Sequence, residues 1–151
     1  MKFEFSAGGI VFKPIRQAQG KKDYLILVAQ HSQHHGWIFP KGLIGDHPST
    51  GSGQAKKETK EQAALREVEE ETGIVAKIKT SFEPVVYWFV FKGEKVKKTV
   101  YYFLMEYVSG DTKNHDFEME SVEWLPKDEV LERLSYPSDK KVWQAAQKML
   151  E

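Results

Sequence analysis

Glu67, Glu70 and Glu71 stand at spacings i, i+3 and i+4 in the run Arg66-Glu67-Val68-Glu69-Glu70-Glu71-Thr72-Gly73-Ile74. At about 100° per residue these three carboxylates share one helical face. Three like charges within a turn repel each other, so they weaken a helix unless a cation sits among them. Hard oxygen ligands clustered this way suit Mg²⁺, with Mn²⁺ as a substitute. The bland alternative is a solvated acidic face, since glutamate is a good helix former. The flanking residues favour the first reading.

Upstream, Thr59 and Gln62 have the spacing of a capping box, which predicts a helix from about Lys60, and Gly73 is placed to close it. Ala63 and Ala64 fall within the arc of the carboxylates, which predicts room there for ions and phosphate. Leu65 and Val68 turn toward a core.

The elements that must position this helix can be read from pattern. Phe3 to Phe12 and Tyr24 to Gln30 read as paired strands joined by a polar turn that contains Pro14 and Gly20-Lys21-Lys22-Asp23. Trp37-Ile38-Phe39-Pro40 is a short extended piece. Val75 to Ile78, Val85 to Phe91, Val96 to Val108 and Met119 to Leu125 are further strands, with a turn at Gly93-Glu94. Helices are expected over Lys127 to Leu134 and, after a break at Ser135-Tyr136-Pro137, from a Ser138 cap to about Leu150. This order predicts an α/β fold, a mixed sheet between helices.

The chain has 151 residues, enough for one domain that buries roughly 70% of its unfolded surface. Lysine plus arginine equal aspartate plus glutamate at 22 each, so phosphate binding must come from local charge or metal rather than a global field. Without cysteine there is no disulfide and no thiolate metal site. Met1 to Ser6 lacks the apolar core of a signal sequence, and no run reaches about 18 apolar residues. The expectation is a cytoplasmic protein without membrane contact.

From Glu58 to Ile74 the chain resembles the signature of the Nudix (MutT-like) hydrolases: Glu, seven residues, then Arg-Glu-aliphatic-x-Glu-Glu-x-Gly-aliphatic. The signature glycine matches Gly42 in Phe39-Pro40-Lys41-Gly42-Leu43, but fifteen residues, not five, separate it from Glu58. That predicts a loop insertion at about 44–57, a Gly-, Ser- and Lys-rich span that reads as mobile, within a single domain over 1–151. The resemblance implies an α/β/α sandwich and metal-dependent hydrolysis of a nucleoside diphosphate linked to another group. It implies that Glu67 and Glu71 ligate metal directly and that Glu70 is the third member, as ligand or base. Arg66 and Glu58 match a structural pair in which the guanidinium holds carboxylates in place. The backbone carbonyl of Lys41 or Gly42 would supply another ligand, and the Lys41 side chain would reach phosphate. A further carboxylate comes from a distant loop, Glu118 as first choice and Glu120 as second. The general base is left open among Glu70, Glu118 and Glu120.

Within that family, several features resemble the small diadenosine tetraphosphate hydrolases: Glu4 to Phe12, Trp37 to Gly42, Tyr87-Trp88-Phe89, Lys98 to Met105 and Leu134-Ser135-Tyr136-Pro137. The substrate implied is a nucleotide or dinucleoside polyphosphate, foremost diadenosine tetraphosphate cleaved to ATP and AMP, with Tyr87 and Tyr102 as adenine platforms. A nucleoside triphosphate, dihydroneopterin triphosphate or a 5′-triphosphorylated RNA end are alternatives, and a nucleotide-sensing module without turnover is another. Nucleic acid is otherwise not an expected partner, and the oligomeric state is left open. His34-His35 reads as part of a solvated loop, while Lys95, Lys97 and Lys98 would attract polyphosphate or protect an exposed strand.

Overall fold

The computed structural model describes residues 1–16, 22–48 and 55–151. β1 (Lys2–Arg16), β2 (Lys22–His31), β3 (Trp37–Ile38), β4 (Lys41–Leu43), β5 (Asp46–Pro48) and β6 (Ala55–Lys57) precede α1 (Lys60–Thr72). β7 (Ile74–Ser81), β8 (Val85–Phe91), β9 (Glu94–Gly110), a 3-10 turn at Thr112–Asn114, β10 (Met119–Pro126), α2 (Lys127–Arg133) and α3 (Pro137–Met149) follow. Eight strands form one sheet with the path β10-β2-β1-β9-β7, to which β3, β4 and β8 add on β2, β1 and β9. β1 and β9 run parallel and the other pairs antiparallel, so the sheet is mixed as expected.

Alternation along the central strands divides the core between the two faces of the sheet. Ala7, Val11, Phe103 and Met105 meet α1 through Ala64 and Val68. Ile10, Phe12, Tyr102 and Leu104 meet Val142, Trp143 and Ala146 of α3. The α/β/α sandwich therefore follows from two amphipathic helices covering opposite faces of one sheet. No helix among the described residues is long and apolar enough to cross a membrane.

α1 begins and ends where its caps place it. Thr59 Oγ1 accepts from the Gln62 N–H (3.1 Å) and Gln62 Oε1 accepts from the Thr59 N–H (3.0 Å), completing the capping box. Gly73 closes the helix with φ +78°, and its N–H donates to the Glu69 carbonyl. A Cβ there would lie 2.4 Å from the Asp111 carbonyl, so both conformation and space require glycine.

Four local expectations are corrected. Ala63 and Ala64 are fully buried in the core beneath α1 and leave no room for ions, because the helix needs small residues where it lies against the sheet. Pro14 is inside β1, opposite Tyr24 of β2 and past Phe12, the last β1 residue with a β9 partner. Of the expected turn, 17–21 lie outside the described residues, and Lys22 and Asp23 already belong to β2, paired with Arg16 and Ile15. α3 starts at Pro137, with Tyr136 as the N-cap and no side-chain cap, so Ser138 is already helical; proline's fixed φ suits the first helical position. The arms of the 44–57 insertion are paired strands, Asp46↔Lys57 through Pro48↔Ala55, while 49–54 lies outside the described residues.

Candidate active site

β4 hydrogen-bonds to β1 and lies beside α1, which brings Lys41 and Gly42 against the acidic side of the helix. A Cβ on Gly42 would fall 2.0 to 2.4 Å from the carboxyl atoms of Glu67, so only glycine admits that side chain. One turn along, Glu71 Oε1 accepts from the Lys41 N–H at 3.2 Å. Two strand residues and two helix residues thus share one wall.

Arg66 organises the outer side. Its Nε and Nη2 donate to the two oxygens of Glu58 at 2.6 and 2.8 Å. Nη1 donates to Glu67 (2.7 Å) and Glu70 (3.1 Å), and Nη2 to the Leu43 carbonyl (3.1 Å), so all five donors of the fork are used. The Glu58 partnership, ahead of the other carboxylates, holds this guanidinium firmly charged. Glu58 in turn accepts from the Gly45 N–H (3.0 Å) and donates its own N–H to the Gly45 carbonyl (2.9 Å). These two bonds close the base of the β5–β6 ribbon, so the insertion does not separate Gly42 from the helix.

Glu118 reaches the same place from just before β10. Its carbonyl accepts from the Ser32 N–H (2.9 Å) and its N–H donates to Asp116 Oδ1 (3.1 Å). A cavity of about 400 Å³ is lined by Glu67, Glu71, Glu118, Lys41, Lys98 and His34, together with His31 and Gly42. Burial, and then the charges of Glu67 and Glu118, push the Glu71 carboxyl up to about 9. Burial also raises Glu67, against the pull of Arg66 and with the push of Glu70 and Glu118. Lys98 is lowered by burial and by Lys41.

Of the expected acidic set, Glu67, Glu71 and Glu118 line this cavity. Glu70 does not: it lies half-exposed outside, bonded to Arg66, because it is turned about 100° from Glu71 on the helix. Glu120 is also elsewhere, paired with His35 Nδ1. A register shift between Met119 and Ser121 separates it from Glu118, where a regular strand would have put both on one face. Among the described residues no three His, Cys, Asp or Glu side chains converge as they stand on one metal position. The donor chemistry still fits a hard divalent cation, since Glu71 is 3% exposed, has like-charged carboxylates around it and accepts, among the described residues, from a single backbone N–H.

A second cavity of about 460 Å³ adjoins the first and shares His34, Ile38 and Lys41 with it. Its other walls are Tyr87, Tyr136, Pro137, Ser138 and Asp139. Ser135 anchors the break before α3 to β3, since its Oγ accepts from the Trp37 N–H (2.8 Å) and its N–H donates to the Trp37 carbonyl (3.1 Å). That anchoring sets Tyr136 over His34, ring centroids 5.5 Å apart and nearly perpendicular. The Gly36 N–H already donates to His34 Nδ1 (3.0 Å), so the Tyr136 hydroxyl, 2.9 Å away, donates to that nitrogen too. His34 thereby carries its proton on Nε2.

Tyr87 is half-buried at this cavity, but Tyr102 is corrected as a nucleobase platform. It is 2% exposed in the core against Phe39, its hydroxyl 3.3 Å from Asp139 Oδ1, and its ring offers no open face. Tyr136 and His34 are cavity residues that the sequence reading did not assign, and of the three lysines read as attracting polyphosphate or protecting a strand, Lys98 lines the acidic cavity. Tyr136 had a signal in the Leu134–Pro137 break, whereas His34 was read as solvated because only folding stacks it on His31, 4.2 Å between ring centroids.

A fold of this kind, with a glutamate-rich helix against a glycine strand, defines a class, and the comparison with known families agrees. The NUDIX domain model matches residues 9–146, and the chain belongs to the Nudix family. The chain is similar to the "Putative mutator protein MutT4" of Mycobacterium tuberculosis (strain CDC 1551 / Oshkosh), 34% identical over 152 residues, which cover 98% of this chain and 56% of that protein. It is 30% identical over 117 residues to the 8-oxo-(d)GTP phosphatase of Mycolicibacterium smegmatis, covering 78% of this chain and 32% of that protein. The chain thus spans about half or less of the length of these curated relatives. Among solved structures, the binary complex of the C. elegans Ap4A hydrolase shares the fold with a TM-score of 0.68, at 23% identity and 97% coverage of both chains.

Proposed function

We propose that this chain is a Mg²⁺-dependent hydrolase of dinucleoside polyphosphates that cleaves diadenosine tetraphosphate asymmetrically into ATP and AMP. The observation that carries this reading is the continuity of the two cavities: an acidic one and an aromatic one that meet at His34, Ile38 and Lys41. A polyphosphate chain with a nucleoside at its end has the same division of character.

In this reading Glu67, Glu71 and Glu118 hold the divalent ions, with the carbonyl of Lys41 or Gly42 as a further donor. Bound metal neutralises the phosphates and makes water more acidic at neutral pH. Lys41 and Lys98 meet phosphate oxygens, and Arg66 keeps Glu67 oriented through its bond to Oε1. Tyr87 and Tyr136 hold the adenine, so that binding energy from this remote part aligns the scissile phosphate. In this reading Glu118, which lines the acidic cavity, takes the proton of the attacking water, whose oxygen bonds to phosphorus as the bond to the leaving phosphate oxygen breaks.

A second reading, hydrolysis of an oxidised guanine nucleoside triphosphate, is favoured by the similarity to the 8-oxo-(d)GTP phosphatase. One experiment separates the two. Purified protein with Mg²⁺ is given diadenosine tetraphosphate, ATP, dGTP and 8-oxo-dGTP in ¹⁸O-labelled water, and products are resolved by chromatography and mass spectrometry. The expected result is the highest kcat/KM for diadenosine tetraphosphate, with label in one of the two products. Faster hydrolysis of 8-oxo-dGTP, or two equivalents of ADP, overturns the proposal, and no turnover of any substrate assigns a sensing module instead.

A further inference from the structure

β8 reads Val85-Val86-Tyr87-Trp88-Phe89-Val90-Phe91, seven residues without a charge or a proline. It pairs with β9 over its whole length without a bulge, and among the described residues that is its only strand partner. Its other edge therefore presents backbone donors and acceptors to solvent beside apolar side chains. Val90 is 70% exposed and Trp88 49%. Natural sheets blunt such edges with charges, prolines or bulges. The neighbouring edge stretch β7 carries Lys77 and Lys79, and β10 at the far side of the sheet carries Glu120, Glu123 and a bulge. β8 carries none of these devices in its own sequence, and the charges beside it belong to β9.

The sequence of β8 is also symmetric in character about Trp88. Tyr87 mirrors Phe89, Val86 mirrors Val90, and Val85 mirrors Phe91. Two antiparallel copies related by a two-fold axis at Trp88 would set aromatic against aromatic and valine against valine at each inner position, the self-complementarity that an isologous contact demands. We propose that β8 pairs with β8 of a second copy of this chain, joining the two sheets into one continuous sheet.

The charges nearest this edge are cationic. Lys95 and Lys97 lie over the Trp88 ring, their Nζ atoms 4.8 and 5.7 Å from its centroid. Lys97 is opposite Trp88 on β9, so its backbone would stand three strand spacings, about 14 Å, from its counterpart, while its ammonium leans in over Trp88 and lies nearer; the pairing is therefore expected to strengthen as salt screens these lysines. On the other face the same register sets Tyr87, a wall of the aromatic cavity, against Phe89 of the second copy. The contact is small and so associates weakly, which makes concentration the variable to scan.

Sedimentation equilibrium from about 1 µM to about 1 mM tests the proposal. The wild type is expected to double its 17.4 kDa mass with rising concentration. Val86→Lys and Val90→Glu are each expected to remain monomeric, since each sets a charge against an apolar partner. The double variant Val86→Lys/Val90→Glu places Lys opposite Glu twice across the two-fold and is expected to restore the doubled mass. Both positions are exposed, and circular dichroism confirms that the variants fold. A wild type that stays monomeric throughout overturns the proposal, as does a folded double variant that does not recover. A mass shift that appears only on adding single-stranded oligonucleotide would assign Trp88, Lys95 and Lys97 to a polyanion and overturn it too.

Discussion

Glu71 offers a test in which stability and activity move in opposite directions. Its carboxyl has an ordinary value of 4.5 and stands at about 9 in the fold, because it is buried and faces Glu67 and Glu118. Between those values the folded state holds a proton that the unfolded state has released, so the folded state loses stability as pH rises through this window. At pH 8 the difference of 3.5 pH units amounts to a ceiling of about 5 kcal/mol, and at pH 5 to about 0.7 kcal/mol. Glu71→Gln removes the titrating group but keeps an oxygen for the Lys41 N–H. Without metal, after relaxation around the carboxyl is allowed for, the variant is expected to be roughly 2–3 kcal/mol more stable than wild type at pH 8. That corresponds to a midpoint higher by roughly 4–12 °C, with almost no difference at pH 5. Added Mg²⁺ should raise the melting temperature of the wild type at pH 8 and leave the variant nearly unmoved, while the rate with Mg²⁺ falls about 100-fold or more. Differential scanning calorimetry in EDTA and in Mg²⁺ at both pH values measures this, with the exposed Glu69→Gln as a control that changes neither quantity. A variant that melts below wild type at pH 8 in EDTA, or one whose gain is the same at both pH values, would falsify the account of Glu71 as a buried, uncompensated carboxylate.

The remaining predictions concern the walls of the two cavities and the ribbon. Gly42→Ala forces the Glu67 carboxylate away from β4, so activity should fall roughly 100-fold while the metal-free melting temperature changes by only a few degrees, within the range of about 1 kcal/mol; unaltered kinetics would show that the packing of Glu67 on Gly42 is dispensable. Tyr136→Ala should raise KM for a nucleotide substrate about tenfold or more, whereas Tyr102→Phe should leave KM unchanged and lose about 1 kcal/mol of stability with its hydrogen bond to Asp139; the reverse pattern in steady-state kinetics returns Tyr102 to the site. Shortening residues 49–54 to a two-residue turn should alter stability by less than about 1 kcal/mol, because Glu58 and Gly45 already close the ribbon at its base. A large drop in unfolding midpoint with intact kinetics would count against that.

Local physics made much of this molecule readable in advance. A capping box is formed by residues three apart, so Thr59, Gln62 and Gly73 bound α1 correctly whatever surrounds it. Strand alternation likewise announced the sheet, and spacing grouped Glu67, Glu70 and Glu71 within about one turn of one helix, of which Glu67 and Glu71 line the cavity. What local spacing could not say is which groups from distant segments face each other. Ala63 and Ala64 fell in the right arc for an ion site, yet the sheet took them into the core, because burial is decided by what packs against a helix and not by its own periodicity. Tyr87 and Tyr102 looked alike as strand aromatics, but Phe39 and Asp139 enclose one while the other opens on a cavity. A single bulge separated Glu118 from Glu120. His34 is held at the site by Tyr136, 102 residues further along the chain, together with His31 beneath it. Sequence determined the helix, its caps and its acidic face because those interactions span a few residues, and tertiary structure alone decided the cavity, since desolvation and like-charge repulsion act through space among residues brought from Lys41, Lys98 and Glu118.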